Sequence, residues 1–111
     1  MSSFSSIDIS ASGLYAQRTR LDAIANNIAN ATTTRTGRGG PYRRQEVVFK
    51  AHSGPMDEDN AGVEVDAVLE SKEPPKMVYD PSHPDAGPDG MVAMPNVNAV
   101  EEMVDMITAR L

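Results

Sequence analysis

The residues with the clearest capacity for chemistry are three potential metal ligands in one short segment. Asp80, His83 and Asp85 supply carboxylate and imidazole groups, which are the usual donors of zinc and related metal sites. Pro81 and Pro84 stand between them, however, and proline breaks the regular backbone that would aim three side chains at one ion. We therefore interpret the segment as a polar turn and expect no metal there.

A second acidic segment begins like a calcium-binding loop. Its first acids, in residues 57–62 (DEDNAG), have suitable spacing, but Ala61 and Val68 stand where such a loop needs oxygen ligands. The sequence also contains no cysteine, which excludes thiolate catalysis and disulfides. Since no nucleophile is paired with a base at a readable spacing, we expect no cofactor, no small-molecule ligand and no enzymatic activity.

A basic, glycine-rich loop could in principle contact phosphates. Gly37, Gly39 and Gly40 lack the Lys-Ser/Thr pair and the following helix of a phosphate-binding loop. The net charge is −6 overall, with +4 in residues 1–50 and −8 in residues 51–90, so the acidic remainder opposes nucleic acid. We expect a flexible loop and no nucleic-acid partner, and the local role of the loop stays open. Its basic and aromatic surroundings are Arg35, Arg38, Arg43, Arg44, Lys50, Tyr42 and Phe49.

The N-terminal part of the chain has a heptad pattern that predicts a helix over about 5–31. Large aliphatic residues recur every seven positions, and no proline interrupts them. The Asn and Thr residues that follow are poor helix formers and should end the helix. Arg18 falls in the companion row of the stripe, where it would face either solvent or an acid on a neighbour. The recurring positions are Ile7, Leu14, Leu21 and Ile28, with Ala11, Arg18 and Ala25 beside them.

The C-terminal part carries a purer apolar stripe, whose members are spaced by three and four residues. Asn98 is placed to cap this helix, and Glu101 and Glu102 suit its first turn. The stripe runs to the last residue without a stop signal, so the helix is expected to be cut inside a longer one. Its members are Val97, Val100, Val104, Ile107 and Leu111.

The middle of the chain, 32–95, contains all eight prolines and seven of the eight glycines, which excludes a long helix. Alternating Val residues and turn signals there predict short strands and a polar loop over 52–61. The predicted class is therefore α+β: amphipathic helices in 1–31 and 96–111 flank a small antiparallel β-rich middle. The strands are expected at 42–51, 63–69, 76–79 and 91–94.

Two amphipathic ends need partners for their apolar stripes. They pair with each other, pair with the ends of neighbouring copies, or form the ordinary core of a monomer, and the pattern alone does not choose. The helical pattern nevertheless favours an assembly subunit over an enzyme. The helix-interface residues would be the nine large aliphatic members of the two stripes.

Several motifs resemble a known family, and together they cover essentially the whole chain. The Asn-rich segment 26–31 (NNIANA) is similar to the motif of flagellar rod and hook axial proteins. The block from Pro75 to Ile107 is more specific and looks like the C-type proximal rod proteins of the bacterial flagellar basal body. The motif residues are Asn27, Asn30, Pro41, Tyr42, Tyr79, Asp80, Pro81, His83, Pro84, Pro95, Asn96 and Asn98.

The resemblance implies a non-catalytic subunit of the periplasmic proximal rod, exported by the flagellar type III apparatus without a cleaved signal peptide. Its implied partners are copies of itself, other rod proteins, the export apparatus and basal-body components. Members of this family assemble helically through their terminal helices and usually continue beyond the position of Leu111. The alternatives are another rod or hook-family protein, or a small periplasmic metal-binding or enzymatic domain.

Overall fold

The computed structural model describes residues 6–54 and 57–109, and of 52–54 and 57–61 the backbone course alone. The predicted α+β class is confirmed, because a helix at each end flanks two small antiparallel sheets. Neither described helix is long and apolar enough to cross a membrane. The elements are α1 (Ser6–Ala29), β1 (Gln45–Gly54), β2 (Asp57–Glu70), β3 (Lys76–Tyr79), β4 (Met91–Met94) and α2 (Ala99–Ala109).

The first helix ends close to the predicted position because Asn30 satisfies its last turn. Asp8 lies in the first turn, where the helix dipole favours a negative charge. At the other end, Asn30 Nδ2 donates to the Asn26 carbonyl at 2.9 Å, and the Thr33 hydroxyl donates to Asn30 Oδ1 at 3.0 Å. These bonds use the short polar side chains as helix-end partners, so the Asn and Thr run stops the helix.

Strands β1 and β2 form a long hairpin with two irregularities in its register, one between Val48 and Phe49 and one between His52 and Gly54. Val48 pairs with Ala67 and Phe49 with Val65, so Asp66 is an extra residue on β2. Such a bulge shifts the alternation of side chains by one position. The alternation of inward and outward side chains that the sequence predicts for β2 therefore changes phase at Asp66.

The hairpin is longer than the sequence indicated. The polar loop predicted over 52–61 is wrong for most of its length, because β1 continues to Gly54 and β2 starts at Asp57. The two remaining residues, 55 and 56, lie outside the described part of the chain. The polar composition of this segment predicted a loop. Backbone hydrogen bonds between two strands do not require apolar side chains, so a hairpin can continue through polar residues.

Strands β3 and β4 form a separate ribbon with the predicted bounds. Asp80 N donates to the Gly90 carbonyl at 2.9 Å and closes the connection between them. Gly90 has a φ of 79°. A Cβ at this position would lie 2.7 Å from Tyr79 Cε1. Glycine is therefore required here by both the backbone conformation and the aromatic ring.

The second helix begins at Ala99, directly after the predicted cap Asn98 and within the predicted segment 96–111. Asn98 Oδ1 accepts from the backbone N–H groups of Val100 at 3.0 Å and Glu101 at 3.2 Å, so the predicted cap is confirmed. Val97 precedes the cap and lies outside the helix. The predicted stripe member Leu111 falls outside the described residues.

The buried core is small and consists largely of alanine. Helix α1 packs against both hairpin strands and against α2. The fully buried apolar residues among those described are Ala16, Ala23, Ile24, Val92 and Ala109. On α1 the buried residues, Asn27 included, form what we call the inner face. The inner face of α2 consists of Glu102 and Ala109.

Several members of the predicted aliphatic stripes are exposed within one chain. Their members Ile7, Leu14, Val100, Val104 and Ile107 are 78, 74, 69, 54 and 62% exposed and are called here the outer stripes. Helices α1 and α2 are in contact, and Asn27 and Glu102 are hydrogen-bonded between them. The heptad pattern follows the largest aliphatic side chains, whereas close packing within the chain selects small ones. The other described members are half-buried: Leu21, Ile28 and Val97.

We predict that Gly90→Ala destabilises the chain more than Gly40→Ala does. Both glycines have positive φ, but only a Cβ at position 90 meets a ring, while Gly40 has open space around it. The backbone cost is about 1–2 kcal/mol at each position, and the ring contact at position 90 adds to it. Urea unfolding measures the free energy of unfolding of both variants. Equal losses would show that the contact with Tyr79 does not contribute to the destabilisation.

Candidate functional site

The side-chain amide of Asn27 is the centre of a buried hydrogen-bond network. Its Oδ1 accepts from the Tyr42 hydroxyl at 2.7 Å and from the Gln45 backbone N–H at 2.8 Å. Its Nδ2 donates to the Gln45 carbonyl at 2.9 Å and to Glu102 Oε1. Both donors and both acceptors of the amide are thus used. Because it pairs with both backbone groups of Gln45, Asn27 takes the place of a neighbouring strand residue at the start of β1.

Glu102 brings a charge into this network from α2. It is only 1% exposed, although it is a carboxylate in the first turn of a short helix. Arg44 compensates the charge: its Nε lies 3.1 Å from Glu102 Oε1, and a second nitrogen lies 3.5 Å from Oε2. A buried carboxylate is tolerated only when it is paired and hydrogen-bonded, and both conditions are met here.

Together these five residues connect three separate parts of the chain, and we call them the clasp. They are Asn27 on α1, Tyr42, Arg44 and Gln45 at the start of the hairpin, and Glu102 on α2. Burial, followed by the charge of Glu102, raises the pKa of the Tyr42 hydroxyl, which therefore stays protonated and donates to Asn27. The clasp thus connects α2 to the last turns of α1 and to the start of the hairpin.

The Arg/Gly loop, whose role the sequence left open, connects the middle of the chain through ion pairs. Asp85 accepts from the Thr34 hydroxyl and from Arg35, both at 2.6 Å. Arg38 forms a two-pronged pair with Glu70 at the end of β2. These cations therefore meet acids of the same chain, and Arg44 and Lys50 are paired as well.

The potential metal ligands serve the turn between β3 and β4. His83 Nδ1 accepts from the Asp85 backbone N–H at 2.9 Å, and Asp80 Oδ1 accepts from the Ser82 hydroxyl at 2.9 Å. Within the described residues, no group of three or more His, Asp or Glu side chains could hold a metal ion. The side chains of Asp80 and His83 thus form hydrogen bonds within a polar turn.

The motif residues have distinct structural positions. Asn27 and Tyr42 belong to the clasp, whereas Asn30 and Asn98 terminate helices. Asn96 Nδ2 donates to Glu73 Oε2 at 2.9 Å and so fixes the approach to α2. The turn between β3 and β4 contains Asp80, Pro81, His83 and Pro84, while Tyr79 ends β3, Pro41 lies before the hairpin and Pro95 is buried.

Sequence reasoning did not predict the contacts that Arg44, Gln45 and Glu102 make with Asn27 and with one another. The backbone groups of Gln45 leave no sequence signal at all. Glu101 and Glu102 both lie in the first turn of α2, where an acid is favoured by the helix dipole. These first-turn positions therefore gave no reason to expect that Glu102 alone would be buried. The spacing of seven residues between Glu102 and Ala109, on the side of α2 opposite its aliphatic stripe, was the available sign of a second buried face.

We predict that Glu102→Ala lowers the free energy of unfolding by about 3 kcal/mol, because it leaves Arg44 and the amide of Asn27 without their partner. Glu101→Ala is the matched control, since its side chain is exposed and bonds to no described residue; its effect should stay within about 0.5 kcal/mol. Urea unfolding followed by circular dichroism measures both. Similar losses in the two variants would contradict the role given to the clasp.

We predict that Thr34→Val raises the pKa of the Asp85 carboxyl. The Thr34 hydrogen bond is the main cause that holds this pKa below its ordinary value of 3.8, and the charge of Arg35 adds to it. A lowered carboxyl pKa stabilises the folded state above the unfolded pKa, and the contribution disappears as the pH falls through the folded pKa. NMR titration of the carboxyl carbon measures the change. Thr36→Val, which removes a hydroxyl not bonded to Asp85, should leave the pKa in place.

Two family models match the ends of the chain, where the helices lie. The model described as "Flagella basal body rod protein" matches residues 7–35, which contain α1 and Asn27. The model described as "Flagellar basal body rod FlgEFG protein C-terminal" matches residues 89–110, which contain α2 and Glu102. Both models thus cover a helix that contributes to the clasp.

Relatives match nearly the full chain. The flagellar basal-body rod protein FlgC of Borreliella burgdorferi is 47% identical, with 98% of this chain and 82% of the relative covered. FlgC of Salmonella typhimurium is 44% identical over 92% of this chain and 75% of the relative. FlgC of Bacillus subtilis is 38% identical over 98% of this chain and 83% of the relative. The C-type resemblance is thereby confirmed over the other rod and hook types, and the chain belongs to the FlgC family of flagellar basal-body rod proteins.

Proposed function

We propose that this chain is a proximal-rod subunit that assembles helically through the outer stripes of α1 and α2. Membership of the FlgC family makes it a structural subunit of the flagellar basal-body rod. The position in the proximal rod and the use of the terminal helices are the finer parts of the proposal. The mechanism is assembly, and it assigns no catalytic step to any residue.

The observation that carries the proposal is the exposure of large aliphatic residues on both helices. Leu14 is 74% and Val100 69% exposed, although each belongs to a regular apolar stripe. A contiguous row of exposed aliphatic side chains marks an interaction surface, because a soluble monomer gains nothing from presenting it to water. Within the described residues, these stripe members remain exposed, and we infer that neighbouring subunits cover them.

Other parts of the proposal concern partners and location. We infer that the neighbours are copies of this chain and other rod proteins, and that the flagellar type III apparatus exports the chain to the periplasm without signal cleavage. The low aromatic content of 5% supports a need for neighbours, since large aromatic residues usually complete the core of a small domain. On the two helices, several of the large apolar residues lie on the outer stripes and are exposed.

We predict that Leu14→Asp prevents incorporation into the rod in the bacterium that encodes the chain, and that its swimming falls to the level of the deletion strain. A carboxylate on the stripe must be desolvated when a neighbour packs against it. Circular dichroism of the isolated variant should remain unchanged, because Leu14 is exposed. The measurements are swimming in soft agar and immunodetection of the chain in purified basal bodies.

Tyr15→Asp is the control, since Tyr15 lies on the same helix and is 65% exposed but falls outside the stripe. This variant should swim. Normal rods assembled from the Leu14→Asp chain would refute the proposed use of the outer stripe, and so would absence of the unmodified chain from basal bodies. The half-buried Leu21 offers the same test less cleanly, because Leu21→Asp also affects the chain on its own.

A further inference from the structure

The ribbon formed by β3 and β4 stands apart from the other elements of the fold. Within the described chain, its Cα atoms lie more than 8 Å from those of every other helix and strand. Two contacts hold the ribbon itself: Val92 on β4 is buried, and Asn96, just after β4, donates to Glu73 Oε2 at 2.9 Å and to the Pro74 carbonyl at 3.3 Å. We call Val92 and Asn96 the pivot.

The turn between β3 and β4, residues 80–90, extends from the ribbon beyond the pivot. Ala86 N donates to the His83 carbonyl at 3.0 Å, and Gly87 N donates to the Met91 carbonyl at 2.9 Å. Asp85 N donates to His83 Nδ1 at 2.9 Å. These bonds make the turn one unit, so a contact of a single residue can position all of it.

Asp85 supplies that contact. Within the described chain, it is the residue of the turn whose side chain bonds to another segment: Oδ2 accepts from the Thr34 hydroxyl and Oδ1 from Arg35 Nη2, both at 2.6 Å. The Arg35 side chain is 75% exposed. Water and salt therefore compete with the ion pair, and the contact is readily broken and re-formed.

The other partner in this contact, the Arg/Gly loop, is attached to the clasp. Tyr42 N donates to the Thr33 carbonyl at 3.0 Å, and the Tyr42 hydroxyl donates to Asn27 Oδ1 at 2.7 Å. Thr34 and Arg35 are thereby held close to the end of α1. The bonds to Asp85 consequently fix the turn relative to the helix pair.

A cleft lies between the Arg/Gly loop and the ribbon, and Asp85 bridges it. Apart from Asp85, the ribbon and its turn contribute Pro84, Ala86 and Ala93 to the walls of this cleft. These side chains are small or cyclic, so no long apolar side chain from this side crosses to the loop. The contact across the cleft is therefore mainly polar, and little buried apolar surface is lost when it opens.

We propose that the bonds of Asp85 to Thr34 and Arg35 are a latch, and that their release lets the turn swing about the pivot while the clasp stays closed. The subunit then has two arrangements of the turn, latched and released, with one arrangement of the helices. The released turn can adjust to a neighbouring molecule without any cost to the helix pair. The latch lies within one chain and does not depend on how copies assemble.

Distances between spin labels test the latch in the isolated chain, because the native sequence contains no cysteine. One label is attached to Asp22→Cys on α1, and the second to Pro88→Cys in the turn or to Lys76→Cys at the start of β3; all three positions are exposed. Double electron–electron resonance then gives the distribution of each distance. The latch is removed by the double change Thr34→Val and Arg35→Gln, or from the other side by Asp85→Ala.

Removal of the latch should widen the 22–88 distribution about twofold and leave the 22–76 distribution unchanged, because only the turn gains a second arrangement. The matched control is Thr36→Val with Arg38→Gln, which makes the same two changes in the same loop but leaves the bonds to Asp85 in place. This control should retain the narrow 22–88 distribution.

An unchanged 22–88 distribution in both latch variants overturns the proposal. So does an equal widening of the two distributions, since the ribbon would then detach as a whole instead of turning about its pivot. The measurement is made on single chains, so neither result bears on the proposed rod function.

Discussion

A buried carboxylate has to be satisfied before the two ends of this chain can meet. Glu102 is tolerated in the interior because Asn27 and Arg44 satisfy its carboxylate, and Asn27 lies in the last turn of α1. The amide of Asn27 also fixes Gln45, from which the hairpin starts. The helix pair, the hairpin and the connection between them therefore share one polar centre, and an incomplete centre would be worse than an apolar one.

This polar centre explains why each helix has two faces with different tasks. Within the chain, small residues such as Ala16, Ala23 and Ala109 allow close contact, and the clasp supplies the specificity that small side chains lack. The large aliphatic residues are left on the outside, where they contribute little to the stability of the isolated subunit. A subunit built in this way is defined by polar contacts within itself and has apolar surface left for contacts with others.

Sequence reasoning located elements well where local signals are strong and failed where tertiary contacts decide. The bounds of β3 and β4 were correct because Pro and Gly mark their ends, and Asn98 was recognised as a cap. The length of the hairpin was underestimated because backbone pairing needs no particular side chains, and the bulge at Asp66 leaves no pattern. The stripes were recognised as apolar faces. The buried face of α2 was not predictable, because Glu101 and Glu102 are the same residue type and only the folded surroundings bury Glu102.

The small core has a thermodynamic consequence. Five apolar residues are fully buried among those described, and three of them are alanine. Unfolding therefore exposes little new hydrocarbon, and the heat-capacity change and the denaturant m-value, which scale with newly exposed surface, are low for a chain of 111 residues. A transition of this kind is spread over a wide temperature interval. The same segment held by neighbours on both helices has more surface to lose, and its melting becomes correspondingly sharper.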